Sequence, residues 1–586
     1  MHTRMSLAPH RAARLFTAIL FAATIGTSVT RAAEKADYVF THGAIYTMEK
    51  GQPTAQAIAI KGKQISYVGS DQGVQAYVGD RTQVTDLKGR MLLPGFVDAH
   101  THPTTAFLAQ GADLQFDSLD QILASLKAWA DAHPDAKVIR GFGWRYNVFP
   151  KTGPHKADLD RVISDRPVLL AAIDGHSAWV NSKALELAGV NAKHPDPVPG
   201  FSYYQRDPKT AEPTGWAVET PAAQEMLGKL APPTPEAVIA AMTDILPKFA
   251  AAGITAVFDA GMPLMPTDRG FAAYQELEKA NKLPLRIVGC YYWNNPKAED
   301  PAGIALRLRD EFHSELVQAR ALKINVDGGD FQRTTVLIKS YPDQPGYHGE
   351  FLLGPELINA AVLKAQARGL DTHAHVVGDG AVRAYLDAVE AARKAYPNSV
   401  SRHTAAHATY LTDDEVARMA SLNVTCQASA QWNNPDPGVE VSVTNIGKEI
   451  MFTEMGRLNS VLIAGGRVAF GADWPAANYT STFLPLDAIQ VSLTRAILPQ
   501  YGQKQFLPVL PPANERITLD QALKAQTVDA AYVLGLDDRI GSLKTGKLAD
   551  LVVLEKDLHQ IPASAISTTK VTLTMMNGRI THRGGY

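Results

Sequence analysis

Pro94-Gly95-Phe96-Val97-Asp98-Ala99-His100-Thr101-His102 is the stretch on which the reading of this sequence turns. Its apolar start has the character of a short buried strand. A strand sends alternate side chains to one face, so His100 and His102 point together at its end. Imidazole suits zinc and neighbouring divalent ions, and the pair therefore reads as half of a metal site. A bare His-x-His can also be two packed histidines; the apolar run ending in Asp-x-His-x-His favours ligands.

Downstream, short apolar runs alternate with helical stretches, the βα pattern of a parallel sheet. The expected strands are Gly95–Asp98, Thr255–Phe258, Leu285–Val288, Ala321–Ile324, Leu370–His373, His403–Ala406, Val424–Gln427 and Arg467–Phe470. Eight such strands predict an α/β fold, a (β/α)8 TIM barrel. Residues 105–245 are too many for one crossover and are expected to form an insertion. Residues 38–90 and 536–586 are β-rich, with Asn577-Gly578 as a hairpin signal. They predict a small β-sandwich domain built from both termini, leaving 91–535 as the barrel domain.

More candidate ligands fall at expected strand ends, where barrel active sites lie. His373 and His375 form a second His-x-His, and His407 closes the run begun at His403. Asp473 follows Val468-Ala469-Phe470-Gly471-Ala472. A carboxylate there must be paired or metal-bound to offset its desolvation, although a turn aspartate before Pro475 is the plainer alternative. Within the constellation it is the natural general base. Lys323 interrupts an apolar run. It is either a structural lysine paired with Asp327 or, once carbamylated, an anionic metal bridge.

These residues carry a family resemblance. The sequence after residue 37 resembles the amidohydrolase superfamily, in the branch of N-substituted formamide deformylases and their exported relatives. Pro94–His102 resembles that family's first-strand metal motif. Lys323, His375, His407 and Asp473 fall on its lysine, two later histidines and aspartate. Gly541–Val552 resembles its return into the small β-domain. The resemblance implies His100, His102, Lys323, His375, His407 and Asp473 as ligands of one or two divalent ions, zinc first. His373 is extra to the pattern and is expected outside the ligand set. Ala406 and Ala472 replace the usual Glu and Ser, which bears on tuning and substrate choice. In the insertion, Gly141-Phe142-Gly143-Trp144 resembles a pocket wall, and Asp174–Ser182 with Glu219 resembles a substrate-side motif. Trp144, His176, Trp179 and Glu219 are the substrate-binding candidates, and Asp473, His407 and His176 the catalytic ones. Trp144 and Trp179 are equally readable as core.

The implied reaction is hydrolysis of an amide or related C–N bond, other than an ordinary peptide bond, by attack of a metal-bound hydroxide on a small-molecule substrate. Ester or lactone hydrolysis could use the same site. A binding protein that has lost catalysis is the reading from another class, and the filled ligand positions speak against it.

Composition fits these expectations. The 586 residues, 46% hydrophobic and 20% charged, suit a large globular chain. With a formal net charge of -2 and no long basic run, nothing points to nucleic acid or an anionic membrane as partner. Two cysteines exclude a disulfide framework. At the N-terminus, Arg11 and Arg14 precede an apolar stretch from Leu15 to Val29 and small residues at Ala32-Ala33. This is the layout of a secretory signal peptide, residues 1–33. The apolar stretch is shorter than the roughly 20 residues of a membrane span. A periplasmic or secreted protein without stable membrane insertion is expected, with homo-oligomerisation left open.

Overall fold

The computed structural model describes residues 34–501 and 505–584. The expected signal peptide lies outside the described residues. Eight parallel strands form one sheet in sequence order: Phe96–Thr101, Ile254–Asp259, Arg286–Trp293, Val317–Asn325, Asp371–Val376, His403–His407, Val424–Ala428 and Arg467–Phe470. All eight expected runs overlap these strands, three of them starting one residue early. Their burial on both faces, covered by the intervening helices, explains why they read as continuous apolar runs.

The loop after the eighth strand closes the sheet against the first. The Asp473 N–H donates to the His100 carbonyl at 2.6 Å, and the His102 N–H to the Trp474 carbonyl at 2.9 Å. The buried Asp98 carboxylate accepts from the His100 and Ala472 N–H groups at 3.0 and 3.1 Å. The fold is thus a (β/α)8 barrel, with first and last strands tied together at the end that carries the histidines.

Between the first and second barrel strands, residues from Ala112 to Val218 form a separate six-stranded sheet. It has its own core, built from residues such as Leu126, Trp144, Leu170 and Trp179. The helix Glu219–Leu230 follows. The helix Pro235–Ala251, opened by a Thr234 cap and a proline in its first turn, then leads directly into the second barrel strand. That helix is a barrel helix, so the expected insertion limit at 245 runs too far.

The two chain ends meet in two further sheets. One contains strands within residues 38–86; the other joins Ala44–Tyr46, Thr54–Ala55 and Met91–Pro94 to Leu551–Leu554, Val571–Met576 and Arg579–Arg583. Phe40, Ile58 and Ile60 of one sheet share a core with Leu92, Val553 and Met575 of the other. Met91–Pro94 pairs with Leu551–Leu554 and belongs to this β unit rather than to the barrel. Asn577 and Gly578 both have positive φ, the turn expected for Asn-Gly between hairpin strands.

Candidate metal centre and its cavity

The ends of the barrel strands bring six of the expected side chains together. Asp473 Oδ1 lies 3.2 Å from His100 Nε2 and 3.1 Å from His102 Nε2. These three residues form a compact group of potential metal ligands. Lys323 Nζ approaches His100 Nε2 at 3.4 Å. On the other side, His407 Nδ1 lies 3.9 Å from Asp473 Oδ2, and the His375 and His407 rings are 4.5 Å apart. Asp473 therefore stands between two halves of the set. His407 and Asp473 both hold left-handed backbone, with φ of 69° and 59°. Such strain persists where surrounding structure fixes it, and it concentrates at functional sites.

The donor chemistry fits a cation. His102 Nδ1 faces the Gly261 carbonyl at 3.2 Å. A carbonyl can only accept, so Nδ1 carries a proton, and Nε2 is the nitrogen left to serve as a metal ligand beside Asp473. With a metal ion between them, Nε2 and the carboxylate oxygen would both serve as ligands. Among the described residues, His375 Nε2 and His407 Nδ1 are buried without a hydrogen-bond partner, which also suits metal ligands. Burial holds the His100, His375 and His407 rings well below their ordinary pKa, in the neutral form that ligates. Burial drives the Asp473 carboxyl up, but its close neighbours His102, His407 and Lys323 outweigh it. The carboxyl ends below its usual range.

Register separates His373 from His375. Lys323 pairs with His373, and Asn325 with His375, so His373 sits one layer deeper in the barrel. Its Nε2 lies 2.9 Å from His100 Nδ1, and its ring stacks on Phe258. It orients His100 and does not line the cavity. Lys323 does line it, and burial pulls its pKa down to about 8. Asp327 is not its partner: that carboxylate accepts the Val336, Val377 and Gly378 N–H groups.

The insertion sheet roofs the centre and leaves a cleft lined by His100, His102, His176, His375, His407 and Asp473 at one end. His176 hangs from the roof. Its backbone N–H donates to Asp174 at 2.9 Å, and its Nδ1 lies 2.7 Å from Glu219 Oε2. Burial lowers its pKa, yet the charge and hydrogen bond of Glu219, with Asp174 and Asp473, raise it to about 9. His176 therefore presents a cation to the cavity at neutral pH.

Three substrate-side expectations need correction. Glu219 does not line the cleft. It is buried behind His176 and accepts from the Gly329 N–H and the Thr334 hydroxyl. Trp144 and Trp179 are fully buried in the core of the insertion sheet. Their indole N–H groups donate to the Leu170 and His155 carbonyls. The pleat explains this. Ala178 faces the cleft, so its neighbour Trp179 faces away. A register irregularity between Phe142 and Trp144 turns the latter to the same far side. Phe142, from the expected pocket wall, does line the cleft.

Sequence reading missed Asp98, the brace between first and last strands, although it stands inside the decisive motif. Burial pushes its pKa up to about 7. It also missed the Tyr292–Asn325 pair at the cleft, joined by a 2.6 Å hydrogen bond. An asparagine ending an apolar strand was the available signal.

Comparison with known proteins places these observations. Residues 83–582 match the model of a family described as Amidohydrolase family. The chain is 29% identical over 549 residues to Protein LONG AFTER FAR-RED 3 of Arabidopsis thaliana, covering 91% of this chain and 90% of that protein. It is 24% identical over 561 residues to N-substituted formamide deformylase of Arthrobacter pascens, covering 92% and 97%. The crystal structure of an uncharacterized metal-dependent hydrolase from Pyrococcus horikoshii OT3 superimposes with a TM-score of 0.66 at 21% identity, covering 90% of this chain and 99% of that one.

Proposed function

The chain belongs to the amidohydrolase family, and from that premise we propose that it is a metal-dependent hydrolase cleaving an amide or related C–N bond of a small molecule. The observation that carries the reading is the convergence of His100 Nε2, His102 Nε2 and Asp473 Oδ1 beneath the cationic His176 in one cleft.

His100, His102 and Asp473 would hold one divalent ion, zinc by its preference for nitrogen and oxygen donors. His375 and His407, with Lys323 carbamylated, would supply a second position. When bound, the metal polarises the scissile carbonyl and acidifies water. The remaining work falls to the chain's own groups. Asp473, held ionised, takes a proton from the attacking water and returns it to the departing nitrogen. His176 donates its Nε2 proton as a hydrogen bond to the carbonyl oxygen as negative charge builds there. Glu219 keeps that ring charged and aimed. The signal-like N-terminus supports export to the periplasm or beyond.

The test is a screen of zinc-loaded protein against formamides, N-acyl amino acids, dipeptides and lactones, with products identified. Release of an amine from one of the first three is expected. Cleavage of lactones alone would replace the C–N assignment with ester chemistry.

A further inference from the structure

The cleft above the metal centre has two unlike ends. The strand Ile139–Trp144 pairs in parallel with Val168–Ala172, with Arg140 opposite Leu169 and Phe142 opposite Ala171. Arg140, Phe142, Leu169 and Ala171 all line the cleft. Both strands run toward Asp174 and His176, so Arg140 enters at the end remote from the metal centre. From Leu169, its cross-strand neighbour, to Ala172 at the end of the strand that leads to Asp174 and His176 is about 10 Å at the rise of a strand. The wall between is apolar, with Leu108, Leu227, Leu264 and Phe142.

Arg140 breaks this wall as Lys323 breaks its barrel strand. Its guanidinium lies 3.9 Å over the Phe107 ring and donates once, to the Phe107 carbonyl at 3.3 Å. Among the described residues no carboxylate comes within ion-pair distance of it, and no other hydrogen bond of its side chain is found. Arginine presents five donors in a planar fork that matches a carboxylate. A charged group placed in an apolar wall costs free energy unless a counter-charge meets it. Arg140 is partly exposed and lines the cleft, so the unused donors of its fork are available to a ligand there.

We propose that the substrate is an amide bearing an apolar segment that ends in a carboxylate, and that Arg140 receives this carboxylate while the C–N bond sits at His100, His102 and Asp473. The inference rests on the metal-dependent hydrolase reading for its reacting end and on Arg140 alone for its distal end. Neutral and cationic tails leave the guanidinium uncompensated and bind less well. Phe142 and Leu108 flank the path of the tail, and Arg140 sets its terminal charge.

Paired hydroxamates, whose head groups ligate divalent metals, test this without turnover. Calorimetry on the zinc-loaded full chain would compare suberic acid monohydroxamate with octanohydroxamic acid, and shorter and longer pairs of the same design. The carboxylate-tailed member of at least one pair should bind about tenfold or more tighter, the scale of one charge-assisted hydrogen-bonded pair. The preference should vanish in Arg140→Met and return in part in Arg140→Lys. Equal binding of both tails by the unaltered protein at every length would overturn the Arg140 assignment while leaving the hydrolase reading intact. So would a preference that survives Arg140→Met. Failure of every hydroxamate to bind would overturn both. An Arg140-dependent preference in a protein that cleaves no amide would uphold the anion site and overturn the hydrolase reading.

Discussion

Glu219 Oε2 lies 2.7 Å from His176 Nδ1, and the carboxylate is buried while the imidazole faces the cleft. The pair is an anchored cation. Its ring pKa stands at about 9 against an ordinary 6.5. A raised value means that the protonated form is favoured by the fold. The stability it contributes is complete below the unfolded pKa of about 6.5 and is lost as pH rises through 9. Activity that needs the cation should show an alkaline limb near that upper value. In Glu219→Gln the limb should move toward neutrality, with turnover at pH about 8 falling tenfold or more. A pH–kcat profile of both proteins checks this. An unmoved limb would show that Glu219 serves only packing.

Asp473→Asn keeps the side-chain shape and removes the proton carrier. The fold should survive, because the backbone N–H still donates to the His100 carbonyl. Turnover should fall about a hundredfold or more, the scale of general acid–base catalysis. Turnover within a few-fold of the parent would show that another group moves the proton.

Lys323 is buried beside His100 with its pKa pulled down to about 8, so part of the amine is neutral and nucleophilic toward carbon dioxide near neutrality. Lys323→Ala should lower bound metal and activity, and short carboxylic acids such as acetate or propionate should restore part of both. Full metal content in Lys323→Ala without added acid would remove the lysine from the centre.

Trp179 is a matter of stability, not of substrate. Trp179→Ala empties a large volume in the insertion core and should cost about 3–5 kcal/mol, read as a fall in Tm. Below the transition, KM should stay close to that of the parent. A large KM change at unchanged Tm would return Trp179 to the cleft.

The barrel was legible because its strands are buried on both faces and so read as unbroken apolar runs. The candidate centre was legible because barrel sites lie at strand ends, where His100, His102, His375 and Asp473 interrupt or follow those runs. The insertion was less so. Its sheet has one face on its own core and one on the cleft, and side choice depends on register. Trp179 and Ala178 cannot be assigned to faces until pairing is known, and the irregularity after Phe142 inverts Trp144 again. His373 and His375 look equivalent in sequence; only the pairing of Lys323 with His373 shows which lies deeper. Glu219 looked like a substrate contact because it is polar near the motif, yet its partner, Thr334, is 115 positions away.

Anomalous diffraction at the zinc edge, on crystals of the zinc-loaded protein, addresses the central claim most directly. The account predicts a peak within bonding distance, about 2.0–2.2 Å, of His100 Nε2, His102 Nε2 and an Asp473 carboxylate oxygen. A protein that hydrolyses an amide yet shows no peak at these three atoms, or shows its only peak elsewhere, would contradict it.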